Sequence, residues 1–182
     1  MTNVVFGTAP NQVPRNSDLG ALAYMAPSSL VPPFIHVREE QAAGVAGGTS
    51  SSSGLHDRVL NTVVSNTITG ASLASSQVTL PAGTYDFISS APSGQSAGNR
   101  LFLFNVTDSV NILQGENSTN GSGANNSVPA ICQGRFTLTS TKVVKLRHYI
   151  SNGIATFGLG YSIGVTGVPE VYSSLQIWKV DL

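Results

Sequence analysis

From residue 34 onward, apolar and polar side chains alternate with a period of two in one segment after another, the mark of strands that bury one face. Phe34–Arg38 sets Ile35 and Val37 opposite Phe34 and His36. Further strand patterns mark His56–Val64, Gln77–Phe87 (extending to about Ser90), Arg100–Thr107, Ile131–Thr139, Lys142–Ile150, Ile154–Ser162 and Glu170–Trp178. Turn residues separate these runs at short intervals and helical periodicity is nearly absent. The pattern therefore predicts an all-β chain, an antiparallel sandwich of about eight or nine strands.

The stretch Gln77–Phe87 writes strand, turn and strand in a few letters. Pro81 fixes its own φ and Gly83 can take a positive one, so the chain bends there before a strand that sends Tyr85 and Phe87 to one face. Asn152-Gly153 predicts a tight hairpin leading into Ile154–Ser162, a strand thinned by Gly158 and Gly160, where something approaches closely. In Lys142–Ile150, Val144, Leu146, His148 and Ile150 share one face, and the histidine there reads as a hydrogen-bonded core residue. Lys145 and Arg147 point outward, toward a neighbour's carboxylates or water.

Two strands break the simple alternation. Leu101, Phe102, Leu103 and Phe104 are continuous, and Leu175 and Ile177 are matched by Trp178 and Val180 on the opposite face. A strand covered on both faces reads this way, and the second cover implies another subunit. Phe102, Phe104, Leu175, Ile177 and Trp178, with Tyr85 and Phe87, are accordingly expected in the core or in a threefold contact.

Between the strands lie polar loops. Gly44–Gly54 lacks the lysine and following helix that a phosphate cradle needs. Asn111–Ser127, the longest polar stretch, is read as a projecting loop whose Asn117, Asn120, Asn125 and Asn126 are candidate receptor contacts, since such side chains suit the hydroxyls of a sugar. Ala91–Asn99 is read as a loop holding Gly94-Gln-Ser96-Ala-Gly98, which matches the G-x-S-x-G pattern of hydrolases. That elbow requires a helix after the serine, whereas a strand pattern follows Ser96, so a hydrolase is the weakest of the functional readings and no catalytic residue is assigned.

Residues 1–33 differ from the rest. Pro10, Pro14, Pro27, Pro32 and Pro33 interrupt scattered apolar positions, which predicts an extended arm before a domain spanning 34–182. Asn16-Ser17-Asp18 could cap a short helical turn carrying Leu19, Leu22 and Ala23 on one face, although Gly20 weakens it.

Only 10% of the 182 residues are charged, nine basic against nine acidic. A field of one sign that would draw nucleic acid or an anionic membrane is therefore not expected. A surface so poor in charge suggests cover by identical subunits. Cys132, the single cysteine, excludes an intrachain disulfide and a thiolate zinc cluster, and it reads as a small buried hydrophobe. The sequence shows neither an export signal nor an apolar run of spanning length, so a protein made in a cytoplasm without membrane insertion is expected. No metal or other cofactor is expected.

The order apolar-Pro-Ala-Gly-Thr-Tyr-Asp-Phe in Leu80–Phe87 resembles the core-crossing strand of tumour-necrosis-factor-like and complement-head-like jelly rolls. That resemblance implies a homotrimeric jelly roll whose last strand lies within a sheet. Gly7–Tyr24 resembles a segment of bacteriophage tail-fibre and other virion proteins, and the run from Lys142 through Val180 carries a second resemblance, spanning roughly residues 34 to 182, to the C-terminal domains of small phage fibre proteins. These similarities imply a virion protein, a short tail fibre whose arm docks on tail or baseplate proteins through Val13, Leu19, Leu22 and Tyr24 and whose jelly roll contacts the host surface and its glycans. The alternative they leave is a trimeric capsid decoration or head fibre.

Overall fold

The computed structural model describes residues 31–119 and 127–180. The proposed arm residues Val13, Leu19, Leu22 and Tyr24, with the short helical turn, lie outside them, as do Asn120, Asn125 and Asn126. From Pro33 the chain forms one compact unit.

Twelve strands, all antiparallel, make two sheets, and no helix occurs among the described residues. In chain order they are β1 (Phe34–Gln41), β2 (Gly54–Asp57), β3 (Thr62–Asn66), β4 (Ser72–Ala74), β5 (Gln77–Leu80), β6 (Gly83–Gly94), β7 (Gly98–Asn105), β8 (Val110–Gln114), β9 (Ser118–Thr119), β10 (Ser127–Leu138), β11 (Lys142–Ile150) and β12 (Glu170–Lys179). One sheet runs β10-β6-β12-β1-β3 and the other β4-β5-β11-β7-β8, with β2 on β11 and β9 on β7. The final strand β12 lies between β6 and β1, inside its sheet.

The alternation read from sequence places the core between the sheets. Ile35, Val37, Tyr85, Phe87, Leu175 and Ile177 enter it from the five-stranded sheet, and Val78, Leu80, Leu101, Leu103, Val144 and Leu146 from the other. Phe136 from β10 stacks on Tyr85 at 5.4 Å and meets Phe87 edge-on at 5.6 Å. Burying Tyr85 leaves its hydroxyl in need of a partner, and it donates to the Pro81 carbonyl at 2.8 Å. The Pro81–Gly83 bend thus positions the ring that closes it, with Gly83 at φ 155°.

Several elements depart from the alternation. The expected strand His56–Val64 is two strands, β2 on β11 and β3 on β1. Between them the chain crosses from one sheet to the other, with Arg58 and Leu60 turned inward. Ile154–Ser162 is not a strand: Thr156 and Gly160 take φ of 68° and 136°, which breaks an extended register. Its backbone pairs instead with the 42–53 loop, through Gly47 N–H to Gly160 C=O and Leu159 N–H to Gly48 C=O, both at 3.0 Å. Asn152-Gly153 consequently does not close a hairpin, and Ile154 makes only an isolated bridge to Ser50.

β6 runs on to Gly94, leaving only Gln95–Ala97 as a turn where a longer loop was expected. The 111–127 stretch is not all loop either, because β8 and β9 pair with β7. Ser72–Ala74 and Gln77–Leu80 form an unforeseen hairpin over Ser75 and Ser76, which hold φ of 49° and 60° without the usual Asn-Gly.

Candidate functional site

The outer face of the seven-stranded sheet carries the most side-chain chemistry. Phe104 is half-buried there, with the Arg147 guanidinium carbon 4.2 Å and the Lys145 ammonium 5.7 Å from its ring centroid. Both cations reach Asp57 of the same chain, Lys145 Nζ at 2.5 Å and Arg147 Nε at 3.3 Å. The long cationic stems cover the aromatic ring while their heads meet solvent. In the continuous run Leu101–Phe104, Leu101 and Leu103 face the core, Phe104 lies under Lys145 and Arg147, and Phe102 stays half-buried on the same outer face. Within the chain these cations meet a carboxylate of a neighbouring strand.

Beside this cluster, Gly98, Asn99, Arg100, Phe102, Asn117, Ser118, Thr119 and Tyr149 line an open depression of about 400 Å³. Strand pairing builds it: Arg100 lies opposite Tyr149 on β11, and β9 adds Ser118 and Thr119 across from Asn99 and Gly98. Arg100 is the one arginine among the described residues with no carboxylate within 4.0 Å; Arg38, Arg58, Arg135 and Arg147 all have one. Its Nε is buried without a hydrogen-bond partner. Asn117 is thus brought together with Phe102, whereas Arg100 and Tyr149 were missed by sequence reasoning. The only signal was an outward arginine whose cross-strand neighbour is a tyrosine instead of an acid.

Ser96 sits in the turn between β6 and β7, flanked by Gln95 and Ala97 at φ 50° and 55°. It is fully buried and its hydroxyl donates to Ser93 Oγ at 2.7 Å. A strand follows it, so the strand-turn-helix geometry of a nucleophile elbow is not met. His148 lies in the core, its Nε2 3.1 Å from Asn99 Oδ1. Burial, with Arg58 and His56 nearby, pushes it down to about 3, so it stays neutral. Cys132 is buried and its thiol is pushed up to about 11 by that burial.

The outer face of the five-stranded sheet is of another kind. Register aligns three rows across it: Phe34, Trp178, Asp86 and Arg135; then His36, Gln176, Ile88 and Gln133; then Arg38, Ser174, Ser90 and Ile131. The charges are self-paired at its margins, Asp86 with Arg135 and Arg38 with Glu40. Trp178 packs on Phe34 at 5.0 Å, while Leu175, Ile177, Tyr85 and Phe87 point the other way, into the core. In the middle, Ile88, Ile131, Ser90, Ser174 and Gln176 surround a shallow neutral hollow of about 270 Å³. Ile88 and Ile131 remain exposed, at 39% and 46%.

At one end of the sandwich the 42–53 and 151–169 loops are zipped together. Glu170 receives the N–H groups of Gly44, Ile163 and Gly164 at 2.7–3.1 Å, and these amides hold its carboxyl below the ordinary carboxylate range. Gly158 lets Ser50 approach and Gly160 lets the Tyr172 ring approach. The close contacts expected at these glycines are made within the chain.

These features define an all-β, two-sheet jelly roll of the tumour-necrosis-factor-like and complement-head-like kind. The fold is similar to that of murine APRIL in its crystal structure at pH 5.0, with a TM-score of 0.55 at 13% identity over 82% of this chain and 99% of that one. It is likewise similar to the globular domain of zebrafish complement 1qA protein, with a TM-score of 0.51 at 16% identity over 82% of this chain and 98% of that one. No family model matches the chain, and no curated protein matches it in sequence.

Proposed function

We propose that this protein is a homotrimeric surface-binding protein of a bacteriophage virion, a short tail fibre whose jelly roll contacts the host cell. The single observation that carries the reading is the division of labour between the two sheets. The five-stranded sheet presents a neutral centre of Ile88, Ile131 and small polar residues, the composition that a threefold contact buries at little desolvation cost. The seven-stranded sheet keeps its paired charges and its open depression facing away from that contact. The virion assignment rests on the resemblance of Gly7–Tyr24 and of the C-terminal strands to phage fibre proteins.

Immunogold labelling of intact virions with antibody to residues 34–182 tests the reading. Gold at the tail tip, together with inhibition of adsorption by the purified protein, is the expected result. Gold over the head would replace the fibre with a capsid decoration, and unlabelled virions would remove the virion role altogether.

A further inference from the structure

We infer that the depression beside β9 binds a carboxylated sugar residue of the host surface, with Arg100 receiving the carboxylate. The inference rests on the surface-binding reading above and assigns that reading a site and a ligand class.

Three observations carry it. The first is charge. Every other arginine among the described residues is neutralised by a carboxylate of the same chain, whereas Arg100 lines an open cavity without one. A guanidinium is a planar fork matched to the two oxygens of a carboxylate, and the Arg100 side chain lines the open depression with its Nε buried on the protein side. An incoming carboxylate would supply the countercharge that the fold leaves out.

The second is shape and lining. About 400 Å³ falls in the range of small-ligand sites, and the walls are mainly apolar with a few convergent polar groups, as such sites usually are. Phe102 and Tyr149 provide ring surface for the C–H face of a pyranose, while Asn117, Ser118 and Thr119 offer amide and hydroxyl groups for its hydroxyls.

The third is what the cavity lacks. Among the described residues only one cation lines it, and no helix terminus is present. A phosphate monoester, which approaches two charges near neutral pH, would call for several donors of that kind. One guanidinium suits the single charge of a uronic or sialic acid.

The test is a titration of the full chain, followed by saturation-transfer NMR, with the methyl glycosides of glucuronic acid, N-acetylneuraminic acid and glucose. At least one acidic glycoside should bind at least tenfold more tightly than the neutral one. Arg100→Gln should lower that affinity at least tenfold, Arg100→Lys should restore part of it, and Phe102→Leu should weaken all saccharides alike, with the thermal midpoint of each variant confirming that it folds. Equal binding of acidic and neutral glycosides, no binding of either, or unchanged affinity in Arg100→Gln would overturn the inference. If Arg100→Gln protein nevertheless blocks adsorption as well as wild type, this site is wrong while the surface-binding reading stands. Loss of virion labelling strikes the reading itself.

Discussion

Arg58 Nη2 lies 3.4 Å from Glu39 Oε2 with both side chains sealed from solvent, so a full ion pair sits inside a sandwich otherwise poor in charge. The same guanidinium donates to the Leu159 carbonyl at 2.9 Å and the Pro92 carbonyl at 3.4 Å. It therefore ties the sheet crossing at Arg58 to β1, to the end of β6 and to the 151–169 loop. Burial depresses Arg58 to about 10, and burial raises Glu39 despite its partner. Both shifts have the sign of desolvation outweighing attraction.

Removing one member strands the other. Arg58→Met should cost about 3–5 kcal/mol of unfolding free energy, whereas the double substitution Arg58→Met with Glu39→Gln should cost clearly less than the two single changes added together. Chemical denaturation of the four proteins in a double-mutant cycle measures this. Additive losses would mean that the pair is not coupled.

His148 gives the fold an acid limit. Its folded value of about 3 lies below the ordinary 6.5, so the stability it contributes is complete above about pH 6.5 and is lost as pH falls from there toward 3, where the unfolded chain takes up a proton that the folded one refuses. Glu39, shifted upward, acts with the opposite sign from its ordinary value upward. Comparing His148→Gln with wild type isolates the histidine. The variant should show a flatter stability profile between pH 6.5 and 3, and an identical slope would refute the assignment.

At Gly158 an added Cβ would stand 2.6 Å from the Ile154 carbonyl oxygen and 2.8 Å from the Ser50 nitrogen. Gly158→Ala should therefore destabilise the zipped loops by about 1–3 kcal/mol and raise the amide exchange of Ser50 and Leu159 more than that of β6 or β12. Uniform loss of protection across both sheets would contradict a local role.

Cys132 should be inert in the native protein. Burial and a value near 11 predict thiol-reagent labelling at pH 8 at least a hundredfold slower than in denaturant. Rapid native labelling would show that β10 opens.

The core was legible in the sequence wherever one face of a strand is apolar and the other polar, as in Ile35 and Val37 or Tyr85 and Phe87. The aromatic turn unit carried enough specificity to point to the jelly roll. Legibility failed where tertiary partners replace the ladder. Arg58 interrupts an apparently continuous strand because a buried carboxylate on β1 waits for it, and only the sheet crossing brings the two together. Ile154–Ser162 has strand spacing, yet its Gly158 and Gly160 admit Ser50 and Tyr172, whose approach bends the chain away from extended geometry. That Lys145 and Arg147 lie over the Phe104 ring was likewise hidden, since only the pairing of β7 with β11 brings the three together. The depression around Arg100 was equally hidden, since its walls come from β7, β9 and β11 and its distinguishing feature is a missing acid rather than a motif.

The account turns on the neutral centre of the five-stranded sheet being a threefold contact. Native mass measurement of the full chain at micromolar concentration, beside the variant Ile88→Asp with Ile131→Asp, tests it most directly. Wild type should appear at about 57 kDa, three times the 18.9 kDa chain, and the variant at the mass of one chain with its thermal unfolding still cooperative. Wild type at 18.9 kDa, or a variant that remains trimeric, would contradict the account.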